Sequence, residues 1–200
     1  MKHRFDEPGI SESARERLDR FAHLLLRWNA RINLISRRDE PAIWPRHILD
    51  SAQLVTLLAD SPGPIIDLGS GAGFPGLVLA ILTGMPVHLV ESDQRKAAFL
   101  REASRVADVN ATVHAIRAET LLLPPAPVVT ARALASIAAL LPLALPLLRP
   151  DGFCVFPKGR GADAELTAAA TEWHMRVERF PSRTSPDATL LRISEIRRAG

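Results

Sequence analysis

The sequence predicts an α/β fold in which a parallel sheet ends in an antiparallel strand pair and an N-terminal helical cap precedes the sheet. From residue 64 onward, strand-length apolar segments alternate with segments of helical periodicity, a pattern typical of βαβ units. The last two apolar segments, near 174–180 and 188–195, are separated by turn residues alone, so they must pair antiparallel. We therefore expect a helical cap over 1–60 and one compact unit over 61–200.

The composition indicates a globular chain with one core. Of the 200 residues, 47% are hydrophobic and 24% are charged, which is the balance of a soluble domain rather than a disordered one. Pro142, Pro146 and Arg149 interrupt the longest apolar run before it reaches transmembrane length. Residues 1–8 lack the apolar core of a signal peptide. The one cysteine, Cys154, cannot form an internal disulfide, so we expect a cytoplasmic protein. We also expect a monomer.

The predicted cap contains two helices. The first covers 13–28, where Ser13 and Glu16 resemble a capping box. A second helical stretch covers 41–59 and is expected to break near Pro45, because proline lacks the N–H that a helix interior needs. The apolar residues that recur at helical spacing in the first helix are Leu18, Phe21, Ala22, Leu25 and Trp28.

Five parallel strands are predicted before the final pair. They are expected at 64–68, 86–91, 111–116, 127–131 and 152–156. Helices are expected at 75–83, 94–106, 136–148 and 162–172. In such a sheet the carboxyl ends of the parallel strands share one edge, and open α/β sheets bind their ligands at that edge.

The connection after the first strand is rich in glycine, and residues 67–76 read DLGSGAGFPG. Glycine has no Cβ and tolerates positive φ, so a ligand can lie directly against this backbone. Two cofactors match the pattern. The D-x-G-x-G-x-G series from Asp67 fits the S-adenosylmethionine (SAM) loop of methyltransferases. The G-x-G-x-x-G series from Gly71 fits the dinucleotide fingerprint, and Glu91 has about the spacing of a ribose-binding acid.

The predicted sheet favours one of these cofactors. A parallel sheet that ends in an antiparallel pair is that of Rossmann-like class I SAM methyltransferases, not the six-stranded dinucleotide sheet. The residues expected to contact SAM are Gly69, Gly71, Gly73, Glu91, Ala118, Glu119 and Arg132. Glu91 would bind the ribose hydroxyls, or else be an ordinary surface acid. Ala118 and Glu119 would lie beside the adenine, and Arg132, the predicted catalytic residue, at the methyl-transfer end.

The chemical class of the acceptor is narrowed by elimination. Methylation of exocyclic amines usually shows an Asn/Asp-Pro-Pro-Tyr/Phe element after the fourth strand, where this chain reads TARA, and the chain has no tyrosine. Methylation of a pyrimidine carbon needs a cysteine nucleophile, but Cys154 lies within a predicted strand and is interpreted as a core residue. A ring nitrogen with a free lone pair, such as guanine N7, needs neither that element nor a cysteine nucleophile. Arg132 would then present donors to the guanine edge.

The N-terminal part is rich in arginine, which favours a polyanionic partner. Residues 1–46 hold ten Lys and Arg against seven acids, and the guanidinium group suits phosphate. The predicted RNA contacts are Asn29, Asn33, Arg37, Arg38, Arg46, His47 and Lys158. A solvated face explains the arginines equally well, and a capping or interhelix hydrogen bond explains His47. No histidine joins Cys, Asp or Glu at metal-ligand spacing, so we predict no metal site.

A series of motifs runs in order through nearly the whole chain. It comprises Trp28-Asn29, Ile32-Asn33-Leu34, His47-Ile48-Leu49-Asp50-Ser51, Phe74-Pro75-Gly76, Glu91-Ser92, Arg117-Ala118-Glu119, Arg132-Ala133 and Lys158-Gly159. With these motifs the chain resembles the bacterial ribosomal RNA small subunit methyltransferase G family, also called glucose-inhibited division protein B. The resemblance implies SAM-dependent methylation of guanine N(7) in 16S rRNA, in the decoding region of the small ribosomal subunit. The cofactor contacts that it implies are Gly69, Phe74, Ala118, Glu119 and Arg132, with Glu91 as the ribose-binding acid.

Two other functions remain open from the residues alone. A SAM-dependent methyltransferase that acts on a small molecule or a protein would need the same glycine turn. A non-catalytic ribosome-assembly factor could use the same fold to bind RNA.

Overall fold

The computed structural model describes residues 9–58, 61 and 63–200. Residues 1–8, where no signal peptide is predicted, and residues 59–60, where the predicted cap ends, lie outside the described residues. The strands are β1 (Ile65–Leu68), β2 (Val87–Val90), β3 (Ala111–His114), β4 (Ala126–Ala131), β5 (Leu148–Lys158), β6 (Trp173–Pro181) and β7 (Thr189–Arg198). The α-helices are α1 (Glu12–Asn29), α2 (Leu49–Ala52), α3 (Gly76–Thr83), α4 (Gln94–Val106), α5 (Ile137–Ala144) and α6 (Ala162–Ala169).

Helix α1 is capped by Ser11. Its hydroxyl oxygen accepts a hydrogen bond from the Ala14 N–H at 3.2 Å, because the extended backbone at Ser11 turns the side chain toward the first helical turn. The predicted capping box at Ser13 and Glu16 is therefore wrong, since both residues lie within the helix. The predicted apolar side is confirmed, and its fully buried side chains include Leu18, Phe21 and Leu25.

Residues 37–57 form one irregular helical segment rather than a helix broken by proline. Its parts are a 3₁₀ turn (Arg37–Ala42), a π-helical turn (Trp44–Ile48), α2 and a second 3₁₀ turn (Gln53–Leu57). The predicted break near Pro45 is wrong. Pro45 lies at the start of the π-helical turn, where its missing N–H leaves no helical hydrogen bond unmade.

The seven strands form one sheet in the order β3-β2-β1-β4-β5-β7-β6. The first five strands are parallel, and β7 lies antiparallel between β5 and β6. The predicted parallel sheet with an antiparallel pair at its end is thus confirmed. Strand β5 is longer than its predicted 152–156, because Leu148 already pairs with Ala126 before an irregularity in the ladder.

The two faces of the sheet bury separate cores, because successive strand residues point to opposite sides. In β1, Ile65 belongs to the core that includes α1, α3 and α4, whereas Ile66 belongs to the core beneath α5 and α6. Phe21 of the cap lies in the first core, with its ring centroid 5.4 Å from that of Phe74 in the glycine turn. The cap is therefore packed onto the sheet through the connection that follows β1.

Candidate active site

The backbone after β1 makes a tight turn that only glycine adopts easily. Gly69, Gly71 and Gly73 have φ values of 67°, 53° and 88°, in the left-handed region. The turn is fixed by hydrogen bonds from Ser70 N to Val90 O at 3.0 Å and from Gly73 N to Ser70 O at 2.7 Å. Gly69 and Gly71 are half-buried and lie at the carboxyl edge of the sheet, where the sequence predicts the ligand.

A cavity of about 650 Å³ lies against this turn, over the carboxyl ends of β1, β2, β3 and β4. The predicted cofactor residues that line it are Gly69, Gly71, Phe74, Glu91, Ala118, Glu119 and Arg132. Gly73 does not line it. A Cβ at Gly73 would meet the Leu77 side chain at 2.6 Å, so this glycine allows α3 to pack under the turn.

Glu91 is fixed at the end of β2 by both carboxylate oxygens. Oε2 accepts a hydrogen bond from Gly71 N at 2.9 Å, and Oε1 accepts one from Asp93 N at 2.8 Å. The residue is only 9% exposed but lines the cavity. Each oxygen retains a lone pair, so the carboxylate can still accept hydrogen bonds from two ligand hydroxyls. This arrangement does not match the alternative of an ordinary surface acid.

Asp67 is fully buried beneath the turn. Thr130 donates its hydroxyl to Asp67 Oδ1 at 2.7 Å, and Gly76 N donates to Oδ2 at 3.3 Å. Burial raises the pKa of Asp67 from 3.8 to about 6, although the hydrogen bond from Thr130 opposes the shift. A Cβ at Gly76 would lie 2.7 Å from Asp67 Oδ2, which explains a glycine at this point.

The raised pKa of Asp67 predicts a pH-dependent stability. The folded chain holds the proton more tightly than the unfolded chain, so Asp67 contributes stability below about pH 4 that is lost as the pH rises through about 6. We expect the free energy of unfolding of the wild type, minus that of Asp67→Asn, to fall by about 3 kcal/mol between pH 4 and pH 7. Urea unfolding of both proteins at several pH values measures this difference. A difference independent of pH would contradict the assignment.

The guanidinium of Arg132 is held at one end of the cavity by three neighbours. Nη1 donates to Asp50 Oδ2 at 3.2 Å and Nη2 to His47 Nδ1 at 2.9 Å. The guanidinium carbon lies 5.0 Å from the centre of the Phe74 ring. Asp50 and His47 come from the irregular helical segment of the cap, so the cap orients a side chain that follows β4.

These contacts define the charge state of His47. An arginine can only donate, so His47 Nδ1 must be the acceptor and the ring proton must be on Nε2. Burial, together with the charge of Arg132, lowers the pKa of His47 to about 4. The neutral ring stacks on Phe74 with a centroid distance of 5.0 Å and an interplanar angle of 18°. His47 Nε2 is buried and has no hydrogen-bond partner among the described residues.

Asp50 also connects Arg132 to the loop between β6 and β7. Its second oxygen, Oδ1, accepts hydrogen bonds from the Thr184 hydroxyl at 2.6 Å and from Gln53 Nε2 at 3.0 Å. Gln53 Oε1 in turn accepts from the Arg183 N–H at 2.8 Å. The hairpin loop is therefore docked on the cap beside the active site.

The structure divides the predicted RNA contacts into two groups. Asn33, Arg37, Arg38 and Arg46 are exposed, although Arg46 Nε forms an ion pair with Asp39 Oδ1 at 2.8 Å. Asn29 and Lys158, in contrast, use their polar atoms internally, and His47 is held against Phe74 and Arg132. Asn29 Oδ1 accepts from Leu34 N and Ile35 N, and its Nδ2 donates to Glu40. Lys158 Nζ donates to Ala135 O at 2.6 Å and lies 2.8 Å from Glu165 Oε2.

Cys154 is fully buried in β5, and burial raises the pKa of its thiol well above the ordinary value. The interpretation of this residue as part of the core is confirmed, and it cannot act as a nucleophile in the cavity.

The sequence did not indicate the roles of Gln53, Thr184 and Leu134, or that Asp50 pairs with Arg132. Arg132 is 82 residues from Asp50 in the chain, and Thr184 is 134 residues from it, so no local pattern signals these pairs. Leu134 lies over the glycine turn, where a Cβ at Gly69 would meet it at 2.7 Å. Gln53, three positions after Asp50, is polar, but this spacing does not identify a partner.

A family model and a close relative match most of this chain. The family model described as rRNA small subunit methyltransferase G (GidB) matches residues 14–189. The ribosomal RNA small subunit methyltransferase G of Granulibacter bethesdensis is 58% identical over 190 residues, which cover 95% of this chain and 89% of that protein.

Solved structures of low sequence identity share the fold. Ribosomal protein L11 methylase from Lactobacillus delbrueckii subsp. bulgaricus has a TM-score of 0.61 and 14% identity, over 72% of this chain and 76% of that one. M. jannaschii TYW2, solved in complex with AdoMet, has a TM-score of 0.58 and 14% identity, over 85% of this chain and 80% of that one. The family model and the close relative together show that the chain belongs to the rRNA small subunit methyltransferase G family.

Proposed function

We propose that this protein transfers the methyl group of SAM to N7 of a guanine in 16S rRNA, in the decoding region of the small ribosomal subunit. The observation on which the proposal most depends is the cavity in which the glycine turn faces the fixed carboxylate of Glu91, with Arg132 at one end. Family membership supports an rRNA substrate, and the fold is shared with a structure that contains AdoMet.

The residues of the cavity fit SAM. Its volume of about 650 Å³ is within the usual range for small-molecule sites. Glu91 would accept hydrogen bonds from the ribose hydroxyls, and Ala118 and Glu119 line the part of the cavity expected to hold the adenine. The backbone at Gly69 and Gly71 would lie against the methionine part. When bound, SAM supplies an electrophilic methyl group on a positively charged sulfur.

The charge state of His47 favours an acceptor that needs no deprotonation. Its Nδ1 accepts from Arg132, and its Nε2 already holds the ring proton, so the neutral ring cannot remove a proton from an amine. Guanine N7 carries a free lone pair. This pair forms the new N–C bond while the S–C bond breaks, and the electrons of the S–C bond remain on sulfur. The residues then act by positioning, which can lower the barrier by up to about 7–11 kcal/mol.

The exposed arginines of the cap are proposed to bind RNA phosphates, and a double substitution tests this. We expect Arg37→Ala with Arg38→Ala to weaken binding to small subunits and to reduce the slope of log K against log salt by about one to two. Filter binding at several salt concentrations measures the slope. The matched control is Arg105→Ala with Arg149→Ala. Both arginines are exposed, and they lie at the end of α4 and at the start of β5, near the amino ends of the parallel strands. If both double variants changed the slope equally, the arginines of the cap would not form the interface.

Mapping of 7-methylguanosine in 16S rRNA from cells with and without the gene tests the proposed reaction. Loss of one such nucleotide, restored by the purified protein and SAM, is the expected result. Transfer of labelled methyl groups to a metabolite or a protein, with none to subunits, would favour a methyltransferase that acts on a small molecule or a protein. Calorimetry without any heat of SAM binding would favour a non-catalytic assembly factor.

The proposal includes action as a monomer in the cytoplasm, where small subunits are assembled. Across the part of the chain that the structure describes, no helix has both the length and the apolar character that crossing a bilayer requires. Light scattering of the purified protein measures its mass against the 21.8 kDa of one chain.

A further inference from the structure

We propose that a second cavity receives the target guanine and that Glu165 recognises the Watson–Crick edge of this base. The inference rests on the proposed function, since it assigns the acceptor side of the same site. The second cavity has a volume of about 440 Å³ and is lined by residues that follow β4 and end β5. It shares with the cofactor cavity the wall formed by residues 132–135.

The arrangement of the two cavities suits methyl transfer. Because β4 lies between β1 and β5, one cavity lies on each side of the segment that follows β4. Methyl transfer needs the nucleophile in line with the methyl group and about 3–3.5 Å from it, so N7 would have to meet the methyl group beside Arg132, which lines both cavities. A guanine with N7 at the Arg132 end of this wall would present its opposite edge, with N1–H and the N2 amine, toward the Ala135 end, where Lys158 holds the carboxylate of Glu165. Lys158 and Glu165 line this cavity.

The carboxylate of Glu165 is fixed on one side and open on the other. Its Oε2 accepts hydrogen bonds from Ile137 N at 2.9 Å and is 2.8 Å from Lys158 Nζ. Lys158 also donates to Ala135 O at 2.6 Å, which ties the carboxylate to the shared wall. Oε1 accepts no hydrogen bond from the residues that the structure describes, and the side chain is 31% exposed. This leaves an acceptor available to a base in the cavity.

An open carboxylate oxygen discriminates between the purines. Oε1 has two lone pairs and can accept from both N1–H and the N2 amine of guanine. Adenine offers an unprotonated N1 at the same place, which a carboxylate repels. Methylation also converts the neutral guanine into a cation, so a nearby carboxylate stabilises the positive charge as it develops. Enzymes that act on an unstacked base commonly recognise this edge.

Glu165→Gln tests the assignment. We expect kcat/KM for subunits that lack the modification to fall about tenfold to a hundredfold. The one amide oxygen would face the donors Ile137 N and Lys158 Nζ, so the amide NH2 would be turned toward the donors of the guanine edge. The Kd for SAM, measured by calorimetry, should stay within threefold of that of the wild type, because Glu165 does not line the cofactor cavity. The matched control is Glu172→Gln, an exposed acid that lies 3.5 Å from Arg198 Nη1 at the surface, and it should behave as the wild type.

A second measurement separates recognition from the structural bond between Glu165 and Ile137 N. Small subunits are assembled with inosine in place of the target guanosine, which removes the N2 amine and keeps N7. The preference is the ratio of kcat/KM for guanosine subunits to kcat/KM for inosine subunits. We expect this ratio to be about tenfold larger for the wild type than for Glu165→Gln. The ratio of subunit affinities should change in the same direction, to a smaller extent.

The outcomes are distinct for the two proposals. Equal preference for guanosine in the wild type and in Glu165→Gln would overturn the role of Glu165, while leaving the proposed function in place. Absence of methyl transfer by the wild type to N7 of any guanine in subunits would overturn the proposed function itself. The inosine comparison on the wild type keeps its meaning even if Glu165→Gln fails to fold, since equal rates on the two nucleosides would exclude recognition of the N2 amine.

Discussion

Gly71→Val is expected to lower the affinity for SAM at least a hundredfold while the fold is retained. Gly71 has a φ of 53°, which a β-branched residue adopts only with strain. A Cβ at this position would have no neighbour closer than Gly69 O at 3.7 Å, so the core can accommodate the change. The backbone strain would instead distort the turn and weaken the hydrogen bond from Gly71 N to Glu91 Oε2. Calorimetry measures the affinity, and urea unfolding measures the remaining stability.

Gly84→Val is the matched control for this substitution. Gly84 has a φ of 71° at the carboxyl end of α3, and a Cβ there would meet nothing within 4 Å. Valine should therefore impose a similar backbone strain of about 1–3 kcal/mol, far from the cavity. We expect reduced stability and unchanged SAM binding. If Gly71→Val bound SAM as tightly as Gly84→Val does, the cofactor would not lie against the turn.

Arg132→Ala is expected to reduce kcat about a hundredfold to a thousandfold, as does the loss of one fixed donor in other active sites. Its guanidinium is oriented by Asp50, by His47 and by the ring of Phe74, so it is already fixed before the substrates bind. Removing it deletes the group expected to position the reacting atoms and leaves Asp50 without its cation. Single-turnover methyl transfer to subunits, with SAM saturating, measures the effect on the chemical step.

Arg132→Lys tests whether the fork geometry or only the charge is needed. Lysine keeps the positive charge but cannot donate to Asp50 and His47 in the same planar arrangement. We expect an intermediate loss of about tenfold. A fully active lysine variant would show that only the positive charge of Arg132 is needed. A fully active alanine variant would show that Arg132 has no role in methyl transfer.

The local patterns of the sequence predicted the part of the site that is contiguous in the chain. The turn that begins at Asp67 and the acid at Glu91 are predictable, because the positive φ values and the strand end depend on residues a few positions apart. The parallel strands and the antiparallel pair at the end of the sheet followed from the alternation of strands and helices and from the short connection before β7. These features depend on backbone conformation more than on tertiary packing.

The tertiary partners could not be predicted in this way. Arg132 was singled out, but its pairing with Asp50 depends on the path of the cap across the sheet. Lys158 was expected at the RNA interface, whereas its ammonium group lies against Glu165 and Ala135 O. A lysine at the end of a strand gives the same local sequence pattern whether it binds RNA or pairs with a residue of its own chain. Gly73 likewise fits the ligand pattern, but the side chain of Leu77 determines its role.

The position of β7 between β5 and β6 has a consequence for biosynthesis. β7 comprises Thr189–Arg198, yet it separates β5 from β6 in the sheet. A growing polypeptide that has reached β6 therefore leaves the edge of β5 open, with its backbone N–H and carbonyl groups available to foreign strands. β5 gains its second neighbour only when β7, the final described strand, has left the ribosomal exit tunnel. A nascent chain that ended before β7 would be prone to aggregate, even though the elements of the glycine turn had already been synthesised.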